Sequence, residues 1–232
     1  MASHKIRYMC GRFTIRTPAS VVAQQFGLLG APPFEARFNV APSQPVPLVR
    51  VAYADGPPRR ELVWLRWGLV PAWARDPAIG NRLINARAET AAEKPAFRVA
   101  LRRRRGLVVA DGFYEWQRVG SRKQPYFFHL RDDGPFAFAA LWDTWEGLDR
   151  SAIESCTLLT TEANDVVRPI HDRMPVLISP ADYERWLDPT VQKPELVMSL
   201  LRPYPSEEMT TFPVSSLINS PSHEDPRCIE PA

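Results

Sequence analysis

The sequence predicts a single α+β domain built mainly on antiparallel sheet. Three observations predict it. The 232 residues suit one domain with a sizeable core better than two. Helical and strand-like segments follow one another without a regular βαβ alternation. The 24 prolines are spread along the chain, as expected of many short elements joined by rigid turns.

In chain order, Thr17-Pro18 opens a helix, with Thr17 as N-cap and Pro18 at the first helical position ahead of "ASVVAQQFGL". Leu62–Val70, "LVWLRWGLV", reads as a strand rich in apolar and aromatic residues. Glu89–Arg104 contains helical stretches interrupted at Pro95, and Leu107–Trp116 reads as a buried strand running into "GFYEW". "PYFFHLR" and "FAFAALW" flank the turn "DDGP", the pattern of a β-hairpin. Thr157–Thr161 and Pro175–Ser179 read as further strands. Ser179-Pro180-Ala181-Asp182 resembles a capping box opening a helix that ends near Trp186, and "PELVMSLLR" predicts a late helix. The tail from Asn219 is irregular, and residues 226–232 are expected to be mobile.

Hydrophobic residues make up 45% of the chain and charged residues 24%, ordinary values for a soluble globular protein. No apolar run approaches the roughly 18 residues of a membrane span. Residues 1–9, "MASHKIRYM", are too polar for a secretory signal, so a soluble intracellular protein is expected. The three cysteines, Cys10, Cys156 and Cys228, are odd in number and lack metal-type spacing, which argues against a disulfide framework and a zinc site. No metal or organic cofactor is expected. The formal net charge of +3 is no polyanion signature. Lysine occurs only at positions 5, 94, 123 and 193, however, and every other basic residue is arginine. A guanidinium fork suits phosphate. A GC-rich genome yields the same bias, and composition alone favours that explanation.

The stretch Tyr8–Phe13, "YMCGRF", carries the sharpest chemical question. With residues 1–9 removed, Cys10 would present a 1,2-aminothiol. Its α-amine and thiol have ordinary pKa values of about 8 and about 8.5, so both nucleophiles are partly available near neutrality. The amine attacks an aldehyde to give an imine, and the thiol then closes a thiazolidine. With residues 1–9 attached, Cys10 is only a small buried thiol. Asn85 in "NRLINARAET" offers a neutral amide to an amine or intermediate, or caps the helix that follows. Glu115 in "ADGFYEW" is either a desolvated proton shuttle between aromatics or an exposed residue on an alternating strand. His171 in "RPIHDRMP" is either a proton-transfer group or a surface loop histidine. Trp67 and Trp73 bracket "GLVPA", and Arg12, Arg87 and Arg173 each neighbour a candidate residue, so bases and phosphates have partners here. Arg102–Arg105 is the most basic run and reads as a solvated helix end.

The motifs "MCGRF", "FNVAPSQ", "WGLVPAW", "INARAET", "ADGFYEW", "KQPYFF", "LTTEAN" and "IHDRMPVLI" occur together and in this order. With them the chain resembles the SOS response-associated peptidase (SRAP) family, from Met9 to about Pro189, with an echo near "VSSLINSP". The resemblance implies an α+β fold with a curled, barrel-like antiparallel sheet and surrounding helices, as one domain over residues 10–225. It implies a sensor of abasic sites in single-stranded DNA. Cys10 would be the crosslinking nucleophile once the preceding segment is cleaved or is not translated. Asn85 would position the amine and the linkage, Glu115 act as acid and base, and His171 stand near the sugar oxygen. Arg12, Asn39, Pro42, Trp73, Arg87 and Arg173 fall in motifs that shape the DNA cleft. Ala74 stands where some relatives carry a second tryptophan, and the nine-residue leader is longer than their lone methionine.

The expectation is a monomeric, cytoplasmic bacterial protein, nucleoid-associated when bound to DNA. It would form a covalent thiazolidine crosslink, with autopeptidase and minor lyase activities. A peptidase acting in trans and a DNA-binding module without chemistry are the competing readings.

Overall fold

The computed structural model describes residues 10–52 and 57–232; the leader, residues 1–9, lies outside the described residues. Strands dominate, in keeping with the β-branched and aromatic content of the apolar segments. They are β1 (Phe13–Ile15), β2 (Arg37–Val40), β3 (Pro45–Ala52), β4 (Arg59–Trp67), β5 (Asn85–Arg87), β6 (Arg105–Ala110) and β7 (Gly112–Val119). There follow β8 (Arg122–Leu130), β9 (Phe136–Glu146), β10 (Ala152–Glu162), β11 (Arg173–Pro175), β12 (Leu177–Ile178) and β13 (Met209–Pro213). The helices are short: α1 (Ala19–Phe26), α2 (Ala88–Ala91), α3 (Arg98–Arg103), α4 (Tyr183–Leu187) and α5 (Glu195–Met198).

Five strands close on themselves. β4 pairs β3, β3 pairs β6, β6 pairs β9, β9 pairs β10, and β10 returns to β4. Only the closing β10–β4 pair is parallel. Closure removes the exposed edges that an open sheet must protect. The expected barrel-like antiparallel core is therefore present. β10 outruns the barrel, and its far end lies between β5 and β11. A second sheet, in the order β13-β8-β7-β1-β2, packs beside it. Phe13, Trp67, Phe113 and Phe138 are fully buried and join the two sheets in one main core.

Several expectations change. The predicted strand Leu107–Trp116 is two strands, broken at Asp111. β6 belongs to the barrel and β7 to the second sheet. A Cβ at Gly112 would lie 2.1 Å from Phe127 Cζ, so only glycine lets the chain switch sheets there. The predicted hairpin around "DDGP" does not form, because β8 pairs β7 and β13 whereas β9 pairs β6, β10 and β12. The hairpins on either side of that turn are instead β7–β8 and β9–β10. Thr17 does not cap α1: its hydroxyl and amide both donate to Asp111, and Pro18 occupies the cap position. Finally, the segment beyond Pro226 is docked. It makes a 3-10 turn over Pro226–Ile229 that buries Cys228, and Val214 bridges Pro231. Tyr114, Phe127, Val214, Ile218 and Cys228 form a small second core on the far face of β7 and β8.

Candidate active site

Cys10 immediately precedes β1, and the β1–β7 register sets what it meets. Phe13 pairs with Phe113, and Tyr114 N–H donates to Arg12 O at 3.1 Å. Continued by one step, the same register brings Glu115 beside Cys10 and Gly11. Glu115 Oε1 accepts the backbone N–H of Cys10. The strand alternation is real, but neither face reaches solvent. Phe113 packs in the main core and Tyr114 in the second core, and Glu115 is buried. Burial therefore pushes the Glu115 carboxyl up to about 8, even though the N–H groups of Cys10 and Trp116 favour its charged form. Burial, reinforced by the charge of Glu115, also holds the Cys10 thiol well above its usual range, so it is protonated.

The Cys10 backbone adopts φ 35°, in the left-handed region that side chains rarely occupy. Asn85 Nδ2 donates to Cys10 O at 3.5 Å. Asn85 opens β5, where it pairs with Leu158 of β10. It is thus held on a strand against the barrel rather than at a helix cap. Cys10 has the carboxyl on its nitrogen and the amide on its carbonyl oxygen.

His171 lies in the loop between β10 and β11, with its side chain 9% exposed. Its Nδ1 accepts Arg173 N–H at 3.1 Å and lies 3.1 Å from Asp172 Oδ1. The loop is braced on β7: Gln117 Nε2 donates to Pro169 O at 3.1 Å. The charge of Asp172 is felt at Glu115.

The expected DNA-contact residues divide. Trp73 is 59% exposed. Its loop is tied to β9: Ala72 N–H donates to Asp143, and Ala74 O accepts Trp145 Nε1–H at 2.7 Å. Arg87 is exposed two residues beyond Asn85, and Pro42 is half-buried. Arg12 donates from Nη1 to Gly11 O at 3.0 Å, and burial lowers its proton affinity. Asn39 is fully buried, and its Nδ2 donates to Ser220 O and His223 O, each at 2.9 Å. It anchors the C-terminal segment and has no surface to offer a strand. Arg173 is likewise engaged, in a bidentate pair with Glu89 at 2.6 and 2.8 Å and in a bond to Thr160 O at 2.7 Å.

Asp111 escaped the sequence reading. Its buried carboxylate accepts five donors, from Thr14 Oγ1, Arg16 N and Nε, and Thr17 N and Oγ1. It clamps β1 where the chain passes from β6 to β7, and so fixes Cys10 relative to Glu115. Its place in "ADGFYEW", four residues before Glu115, was the available signal.

A cysteine held by its nitrogen on a buried carboxyl, between a closed barrel and a second sheet, defines a cysteine-centred α+β protein. The chain belongs to the SOS response associated peptidase (SRAP) family, whose pattern it matches over residues 9–221. It is 41% identical to the abasic site processing protein YoqW of Bacillus subtilis, over 96% of this chain and 99% of that protein. It is 32% identical to the abasic site processing protein HMCES of Xenopus tropicalis, over 73% of this chain and 57% of that protein. A crystal structure of a protein from Bacteroides thetaiotaomicron superimposes with a TM-score of 0.81 at 26% identity, covering 96% of this chain and all of that one. No helix among the described residues is long and apolar enough to cross a membrane.

Proposed function

We propose that this protein processes abasic sites in single-stranded DNA by capturing them covalently at Cys10. One observation carries the reading: the backbone nitrogen of Cys10 sits on the buried Glu115 carboxyl. Relatives that cover nearly the whole chain are named as abasic site processing proteins, which supports the substrate.

Hydrolysis of the Met9–Cys10 bond leaves an amine on Cys10 beside Glu115 and removes the torsion that holds Cys10 in the left-handed region. The Cys10 thiol attacking in cis, or an aminopeptidase, accomplishes this. His171 assists opening of the deoxyribose by hydrogen-bonding the ring oxygen, which exposes the aldehyde at C1′. The amine adds to that carbon. Glu115, whose burial favours the protonated carboxyl, delivers the proton that lets water depart and leaves the imine. The thiol then adds across the imine: sulfur bonds carbon and its proton moves to nitrogen, closing the thiazolidine. Asn85 fixes the Cys10 carbonyl and so orients the residue, an effect worth several kcal/mol in well-ordered reactions. Trp73, Arg12, Arg87 and Pro42 contact the strand. Diversion of the imine to β-elimination gives a minor lyase activity.

Intact-mass measurement tests this. Protein beginning at Cys10, incubated with abasic single-stranded DNA, is expected to gain the mass of the strand less one water in a heat-stable adduct. Absence of that adduct overturns the covalent reading and leaves a non-covalent DNA-binding protein.

A further inference from the structure

We propose that the tip of the β7–β8 hairpin is a clamp for the phosphate backbone of the strand that occupies the Cys10 site, gripping it on one side of the lesion. This rests on the reading of the site given above. Beyond Gln117 and Gln124 the hairpin is a two-stranded ribbon, because β13 pairs β8 only over Tyr126–Leu130 and β1 meets β7 only near Phe113. Arg118 faces Lys123 across the ribbon, and Val119 faces Arg122. All four side chains are exposed, and among the described residues none of the three cations makes an ion pair. Like charges directly opposite on a two-stranded ribbon are destabilising, and an anion between them relieves that cost.

Position ties the ribbon to the site. Its root carries Glu115, and four residues at about 3.4 Å each put the tip on the order of 14 Å away. Gln117 braces that root against the His171 loop, and the charge of Lys123 is felt at Glu115. The turn Gly120-Ser121 is tight, with Gly120 at φ 61°. By contrast, two arginines of the most basic run are engaged within the fold, although Arg102 and Arg103 are exposed. Arg104 pairs with Asp143 at 3.1 Å, and Arg105 donates to the carbonyls of Leu101, Arg102, Trp186 and Asp188.

The test is the triple variant Arg118→Gln, Arg122→Gln, Lys123→Gln in the full chain. Binding of a fluorescein-labelled single strand carrying a tetrahydrofuran abasic analogue, which has no aldehyde to react, is followed by anisotropy as salt is raised. Each lost phosphate contact removes about 0.7 from the slope of log K against log salt, so the slope should flatten by about 2, and affinity at low salt should fall at least tenfold. Trimming the strand on one side of the lesion should weaken the wild type to the level of the variant and leave the variant unchanged. An unaltered slope, or equal losses for both proteins on trimming either side, overturns the proposal. Adduct yield at saturating abasic strand is read separately, with wild type and variant both beginning at Cys10, and should match the wild type. If the wild type itself gives no adduct, the Cys10 reading fails, while the salt slope still decides the hairpin.

Discussion

Cys10 and Cys156 are both fully buried, and burial raises the proton affinity of both thiols. Cys156 sits in the barrel wall, opposite Trp67 on one side and Trp142 on the other, and its carbonyl accepts Gly68 N–H at 2.8 Å. Its backbone is consumed by the ladder. Cys10 has a carboxyl on its nitrogen, an amide on its oxygen and a left-handed φ. Burial alone makes an inert thiol; what surrounds the backbone nitrogen separates the two. The largest expected effect follows. Cys10→Ala should abolish the heat-stable adduct in intact-mass spectra, whereas Cys156→Ala should keep it and cost about 1 kcal/mol of stability. Cys10→Ser, like Cys10→Ala, keeps the amine and should leave only a labile imine. A heat-stable adduct from either Cys10 variant breaks the comparison.

Glu115→Gln probes the same difference from the carboxyl side. Loss of a positioned acid should slow adduct formation by about 10²–10⁴-fold. Affinity for the intact strand should stay within about twofold, since the carboxyl is buried. A variant that mainly loses affinity would show that Glu115 binds rather than shuttles protons. The group also leaves a mark on stability. The folded protein keeps the Glu115 proton up to about pH 8, against an ordinary value of 4.5. Between those values the folded state binds more protons than the unfolded one, so stability falls as pH rises through the window. The full shift is on the order of a few kcal/mol. Thermal melts from pH 5 to 8 should decline more steeply for the wild type than for Glu115→Gln, and parallel curves would refute the assignment.

How much of this was legible in the sequence depends on the range of the interaction. The antiparallel character, β4 and the helical breaks around Pro95 were legible, because apolar pattern and proline act locally. Strand partnership was not. "PYFFHLR" and "FAFAALW" have the pattern of a hairpin, but they belong to different sheets, since β7 offers β8 an adjacent partner through the turn Gly120-Ser121. The proximity of Cys10, Asn85 and Glu115 could be expected only from the motifs as a set, for they lie on three separate elements. That Asn39 and Arg173 are engaged within the fold was not legible, because residue type does not reveal whether a polar group is already satisfied. The Asn39 partners lie some 180 residues away in sequence, at Ser220 and His223.

Asp111 tests whether the Cys10 arrangement depends on its clamp. Asp111→Ala leaves five donors without their acceptor and should destabilise the fold by about 3 kcal/mol. Asp111→Asn keeps the shape and part of the bonding. It should slow adduct formation by about tenfold at saturating strand, the loss expected of a misplaced rather than missing group. Strand affinity should be unchanged. If Asp111→Asn melts lower but reacts at the wild-type rate, the clamp is structural only.

Arg87 and Arg173 give the smallest contrast. Both neighbour candidate residues, and sequence alone gives them the same role. Arg87 is exposed, and among the described residues it makes no ion pair. Arg173 has its side chain only 14% exposed and holds Glu89 bidentately. Burial pushes the Glu89 carboxyl up, but the bonds from Arg173 outweigh it and leave the group below its ordinary value. Arg87→Gln should therefore flatten the salt dependence of strand binding by about 0.7 and leave the melting temperature alone. Arg173→Gln should do the reverse, costing about 1 kcal/mol or less with an unchanged slope. Equal slopes lost in both would mean that Arg173 releases Glu89 when a strand arrives, and phosphate would then be the stronger partner of that guanidinium.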